Sequence, residues 1–241
     1  MVKVNAGALE SFDPSFSVFS LPYVFSDEEH FERVMDSETV QSMYGNLSDI
    51  GLRGITYFDA GARSFYTSNH AIEKPEDLAG LKIRVMTNKT SIDTMKLLGA
   101  APTPLPASEV YTGLQQGVID GAESSSIALV DANHGEVAKY FSYDEHTRIP
   151  DFLIMSDQTW NNLSEEEQAI ITEEAQDSTH EHNERWKDMI ADGVVKAEEE
   201  MGVTFNEVDQ EPFRELVEPL LEESRENPQV KEILDAFSIL E

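Results

Sequence analysis

Between Pro75 and Glu123 the chain alternates short apolar strands with short helices, a pattern that commits it to an α/β fold. Leu81-Lys82-Ile83-Arg84-Val85 reads as a strand running straight into a helix from about Thr90, with Ile92, Met95 and Leu98 on one side and Gly99 as its stop. Ser108 is placed to cap the next helix, which ends at Gly117. Val118-Ile119 then reads as a very short strand that delivers Asp120-Gly121-Ala122-Glu123 to a strand end, where open α/β sheets bind ligands. Arg84 lies on the first of these strands, and Arg63 lies upstream in Gly61-Ala62-Arg63-Ser64-Phe65-Tyr66-Thr67-Ser68-Asn69. With 17 Lys and Arg against 47 Asp and Glu, arginines set among Gly, Ser, Thr and Asn read as anion receptors and point to a carboxylate ligand. The competing reading is a surface arginine, its stem covering apolar area and its head solvated.

The remaining segments continue the α/β theme. Ser26 and Glu29 have capping-box spacing before a helix carrying Phe31, Val34 and Met35, and Ile55-Thr56-Tyr57-Phe58 reads as a strand. A mostly helical stretch is expected from Glu123 to Glu145-His146-Thr147-Arg148-Ile149-Pro150-Asp151, followed by the strand Phe152-Leu153-Ile154-Met155. Ser164 and Glu167 make a second capping box, and a proline-free helical pattern runs from there to about Met201, long for a globular helix. Two apolar helices close the chain, one with Phe213, Leu216, Val217 and Leu220, the other with Val230, Ile233, Leu234 and Phe237.

Composition removes several function classes. A formal charge of −30 excludes nucleic acid and anionic membrane as partners, and fits a solvated surface suited to high salt. With no cysteine there is no disulfide, thiol chemistry or thiolate metal site. No glycine-rich phosphate loop occurs, and no metal or cofactor is expected. His180-Glu181-His182-Asn183-Glu184 lacks the spacing of a zinc helix, because histidines two apart do not share a helical face. No apolar run is long enough to cross a bilayer, and Met1-Val2-Lys3-Val4-Asn5 carries no export signal.

Three runs carry a family resemblance: Pro75 to Val85, Leu98-Gly99-Ala100-Ala101-Pro102-Thr103-Pro104-Leu105-Pro106, and Ser108 to Glu123. Together they resemble the solute-binding proteins of tripartite ATP-independent periplasmic (TRAP) transporters, the DctP-like family. Phe12-Asp13-Pro14 through Phe25 and Leu163 to Gln168 extend the similarity to essentially the whole chain. The resemblance implies a two-lobed α/β periplasmic-binding-protein-like fold with mixed sheets and a long lobe-spanning helix. It assigns residues 1–60 and 150–189 to an N-lobe, incomplete at its start, and residues 61–149 and 190–241 to a C-lobe. A chain shortened at its N-terminus is expected to leave Phe16, Val18 and Phe19 partly uncovered.

The resemblance also implies roles. Arg84 matches the family's carboxylate clamp, and Arg63 its second arginine. Ser124 stands where many members carry Asn, Thr87 and Ala107 line up with pocket positions beside the clamp, and Asn5 and Asp151 with polar positions on the other lobe. An acid at Asp151 suits hydroxyls and repels a second carboxylate, so a sugar acid such as a hexuronate is favoured over C4-dicarboxylates. The implied function is an extracytoplasmic receptor handing a small organic acid to the membrane subunits of a TRAP transporter, with no catalysis. Three alternatives stay open: a C4-dicarboxylate receptor, a sensory module, and an enzyme using Asp120, Glu123 or His146 as acid or base.

Overall fold

The computed structural model describes all 241 residues. Two sheets organise them. The smaller contains β1 (Val2–Asn5), β8 (Asp151–Ser156) and β2 (Leu52–Phe58) in that order, with β8 antiparallel to both neighbours. The larger has the order β5-β4-β6-β3-β7-β9, formed by β3 (Ala62–Thr67), β4 (Lys82–Val85), β5 (Ala101–Pro104), β6 (Gly121–Ser124), β7 (Tyr140–Arg148) and β9 (Thr204–Glu207). Strands β5, β4 and β6 run parallel, β3 is antiparallel to β6 and β7, and β9 is parallel to β7. This is the mixed-sheet α/β architecture expected.

Helices α1 (Ala6–Leu9), α2 (Glu28–Met35), α3 (Glu38–Asn46) and α10 (Pro228–Ile239) cover the small sheet. Phe152 of β8 packs edge-on against Phe16 and Phe19, whose ring in turn meets Phe237 of α10 at 5.9 Å. Phe16, Val18 and Phe19 are therefore fully buried, which corrects the expectation that they would be partly uncovered. The same packing corrects the grouping of 190–241 with the larger sheet for α10. Its Val230, Ile233, Leu234 and Phe237 belong to the small-sheet core, and the Phe237 and Leu240 carbonyls bond to His30 and Arg33.

The larger sheet has two apolar faces because its strand alternation sends neighbouring residues opposite ways. Phe65, Ile83 and Val85 pack with α4 (Lys89–Leu97) and α9 (Glu211–Ser224). Tyr66, Ala122 and Phe141 pack on the other side with α5 (Val110–Gln115), α6 (Ala128–Asp131) and the end of α8 (Glu165–Glu199). A short α7 (Asp157–Asn161) precedes α8. Helix α8 starts at the expected Ser164/Glu167 capping box and, at about 1.5 Å per residue, is long enough to touch both sheets. Thr179 bonds the Tyr57 carbonyl in the small sheet, and Ala197 is buried with the larger one.

The chain passes directly from a strand of one sheet to a strand of the other at 59–61 and at 149–150, and charge fastens these two crossings together. Arg148 forms a two-pronged ion pair with Asp59, whose Oδ1 also accepts from Gly61 N at 2.9 Å. From α8, His182 donates to the Asp59 carbonyl at 2.9 Å and Asn183 accepts from the Asp59 amide. Gly61 has φ +81, and a Cβ there would come within 3.0 Å of Ser125 Cβ, so this crossing needs glycine.

Several local expectations shift. Asp27, not Ser26, caps α2 through His30 N, and a 3-10 turn with no side-chain cap replaces the expected Ser108 cap. The strand expected at Val118-Ile119 begins instead at Gly121. The stretch before Glu145 expected to be mostly helical holds only α6 and a 3-10 turn, and it ends in the nine-residue strand β7.

Candidate functional site

Parallel pairing places the carboxyl ends of β4, β5 and β6 side by side, and there the expected residues of the larger sheet gather. Arg84 is on β4, Thr87 is two residues past its end, Ala107 follows β5, and Ser124 is the last residue of β6. Ser124 lies opposite Ser64 of β3, half-buried and with no side-chain hydrogen bond inside the chain. Ala107 and Thr87 are exposed, and Thr87 lines a cavity of about 560 Å³ between α1 and the start of α4.

Arg84 is only 8% exposed. Its Nε donates to the Leu105 carbonyl at 2.9 Å, while neither Nη group has a partner in the chain and no carboxylate pairs with it. Burial presses its pKa down from the ordinary arginine value; the Glu123 charge opposes this and the neighbouring Arg63 adds to it. The same cation, with burial as the larger cause, lowers His134 to about 4, so that this histidine is neutral where its Nδ1 meets the Tyr66 hydroxyl at 2.8 Å.

Arg63 is equally buried but is paired within the chain. Its Nε donates to Glu123 Oε2 at 2.5 Å and its Nη2 to the Glu123 carbonyl at 2.7 Å. His146 extends the network: Nδ1 meets Asp144 Oδ2 at 2.8 Å, Nε2 lies 3.6 Å from Glu123 Oε2, and the ring stacks on Phe65 at 4.8 Å. Burial disfavours the charge on His146, but Asp144 and Glu123 overcome it and raise its pKa to about 9. Burial likewise disfavours the Glu123 carboxylate, yet Arg63 and His146 hold it at about 2. At neutral pH His146 is an imidazolium and Glu123 a carboxylate beside the Arg63 guanidinium, while burial, opposed by the His146 charge and by hydrogen bonds, raises the Asp144 carboxyl above its ordinary value. A group locked in this way is a poor proton shuttle, which removes the support for acid-base chemistry at Glu123 and His146.

The small sheet contributes the facing residues. Asn5 and Asp151 are direct partners across β1 and β8; Asn5 Nδ2 donates to Asp151 Oδ1 at 3.1 Å, and Lys3 Nζ meets Asp151 Oδ2 at 2.5 Å. Asn5 Oδ1 caps α1 through Gly7 N. Across the two sheets the Asp151 charge adds a small contribution favouring the charged form of Arg63, behind burial, which opposes it, and Glu123. Sequence reasoning missed the Glu123 and Asp144 counter-ions. Their partners lie 60 and 2 residues away, and only the alternation Asp144-Glu145-His146, with both ends on one face of a strand, could have signalled the second.

With this geometry established, the sequence can be set beside known proteins. The profile of the bacterial extracellular solute-binding protein family 7, DctP, matches residues 1–227. The chain belongs to this family. It is 43% identical over 231 residues to the uncharacterized protein YiiZ of Salmonella typhimurium, covering 95% of this chain and 71% of YiiZ. A TRAP periplasmic solute-binding protein from Anaerococcus prevotii with bound α/β D-glucuronate superposes with TM-score 0.95 at 38% identity, covering 99% of this chain and 78% of that one. A receptor from Citrobacter koseri superposes with TM-score 0.91 at 33% identity in its D-glucuronate-bound structure, over 98% of this chain and 78% of that one. Its apo, open structure gives TM-score 0.87 at 32% identity with the same coverage. The A. prevotii and C. koseri relatives are periplasmic solute-binding proteins, and no helix of this chain is long and apolar enough to cross a membrane.

Proposed function

We propose that this family member is the receptor of a TRAP transporter and closes its two sheets around a sugar monoacid of the hexuronate class. The carrying observation is the state of Arg84, a buried guanidinium whose Nη donors have no partner in a chain rich in acids. A carboxylate ligand satisfies both donors at once and restores charge balance in a site that burial has made expensive for a lone cation.

A monoacid fits better than a dicarboxylate. The other buried arginine, Arg63, is already neutralised by Glu123, so a second ligand carboxylate would meet no unpaired buried cation. On the small sheet the Asp151 carboxylate repels a further negative charge and accepts from hydroxyls, while Asn5 retains donor capacity. Ser124 adds a hydroxyl at the end of β6. The D-glucuronate bound by the A. prevotii and C. koseri relatives has one carboxylate and a ring of hydroxyls, which supports this class. The receptor works outside the cytoplasm and delivers its ligand unchanged to the membrane subunits of the transporter.

Calorimetric titration with D-glucuronate, D-galacturonate and succinate in high salt tests the reading. Binding of at least one hexuronate more tightly than succinate is expected, and tight succinate binding with no response to either hexuronate would overturn it.

A further inference from the structure

The two sheets also meet away from Arg84, where α1 touches the start of α4. Helix α1 belongs to the small-sheet core through Ala6 and Leu9, and α4 to the larger-sheet core through Met95. Across this seam Glu10 Oε1 accepts from Thr90 Oγ1 at 2.7 Å and from Thr90 N at 3.3 Å. The carboxylate thus docks on the amino end of the helix fed by the Arg84 strand, where the helix dipole favours negative charge.

One turn earlier, side chains from both sides close on Gly7. An added Cβ there would lie 2.5 Å from Asn88 Nδ2 and 3.2 Å from Asn5 Oδ1. Asn88 cannot swing aside without loss, because its Oδ1 caps α4 by accepting from Ser91 N at 2.7 Å. The seam is also incompletely satisfied: Glu10 Oε2 and Asn88 Nδ2 are shielded from solvent and have no partner. Opening returns both to water, so the contact holds the halves together only weakly without further interactions.

We propose that Gly7 and Glu10 of α1, docking on Asn88 and Thr90 of α4, form the latch of the closed receptor. Glu10 is a positioning residue: it touches no ligand and keeps Arg84 opposed to the small sheet. This rests on the hexuronate reading only for the choice of probe. The chain as a whole superposes better on the D-glucuronate-bound C. koseri structure than on its open one.

The test combines rapid-mixing kinetics with distance measurement. Glu10→Ala should weaken D-glucuronate and D-galacturonate by one common factor, about tenfold, the lower end of what a hydrogen bond to a charged group contributes. The loss should lie in the dissociation rate. Gly7→Ala should weaken both at least as much without lowering the melting temperature of the unliganded chain, since alanine favours the helix. The chain has no cysteine, so spin labels at Ser48→Cys and Gln116→Cys report the separation of the halves by electron double resonance. Glu10→Ala should shift that distribution to longer distances. Wild-type affinity in Glu10→Ala, or a loss confined to one of the two sugars, overturns the latch. If the unaltered chain binds neither sugar, the hexuronate reading fails and the label distances alone decide, an unshifted distribution overturning the latch.

Discussion

Arg63 and Arg84 are equally buried, yet one is neutralised within the chain and the other is not. Arg63 has Glu123 on its guanidinium, with His146 and Asp144 extending the network behind it. Arg84 has one carbonyl and two unoccupied Nη groups. Burial raises the energy of both cations, but only Arg63 recovers it from the fold. The contrast teaches that a buried charge left without its counter-ion marks where a ligand supplies it, whereas a compensated one belongs to the scaffold.

The comparison breaks most visibly if the scaffold arginine is removed. Arg63→Ala leaves the buried Glu123 with only the more distant His146, and should destabilise the fold by about 3–5 kcal/mol, read by urea unfolding. Arg84→Ala should do the reverse, leaving unfolding free energy unchanged or higher while weakening hexuronate binding by about 2–5 kcal/mol in calorimetry. Arg84→Lys should recover only part, because an ammonium cannot make a two-pronged contact. If both alanine variants lose stability equally, the distinction between them is wrong.

The charged network also sets a pH window. Burial opposes charge on His146, but its two carboxylates raise the folded pKa from 6.5 to about 9, so this contribution is complete below 6.5 and disappears as pH rises through 9. Glu123 is lowered from 4.5 to about 2, with Arg63 and His146 outweighing burial, and its contribution is present above 4.5 and disappears as pH falls through 2. Stability should therefore decline from pH 6.5 to 9, and His146→Gln should flatten that decline in melting curves at fixed ionic strength. The smallest effect is expected from salt. Screening a charge of −30 should raise the melting temperature by a few degrees in molar NaCl, roughly what relief of surface repulsion contributes. A melting temperature falling with salt would place the dominant electrostatics in attractive pairs.

The parts of this fold visible in the sequence are those fixed by local chemistry. Arg84 on a four-residue strand, Gly99 ending α4 and the Ser164/Glu167 box opening α8 are all set by neighbours within a few residues. Strand β7 was hidden because Tyr140-Phe141-Ser142-Tyr143-Asp144-Glu145-His146-Thr147-Arg148 is too polar for a buried strand until its charges find partners: Asp144 with His146, and Arg148 with Asp59. Glu145 at φ +47 and a register shift between Arg63 and Phe65 further break its period. Helix α10 shows a clear apolar face, but nothing in that face says which sheet it covers. Arg63 illustrates the limit at the candidate site: its residue type was legible as an anion receptor, but the anion proved to be Glu123, supplied 60 residues later.

The most direct test alters the charge of the ligand and leaves the protein intact. D-glucuronate and its uncharged amide, D-glucuronamide, present the same hydroxyls, so their affinities for the unaltered chain isolate the carboxylate that Arg84 is held to receive. Binding of glucuronate with the amide weaker by at least about 2 kcal/mol, the lower bound for leaving a buried charge unpaired, is the predicted result. Equal affinity for the two would contradict the account, because the buried guanidinium would then be indifferent to the charge that it is proposed to bind.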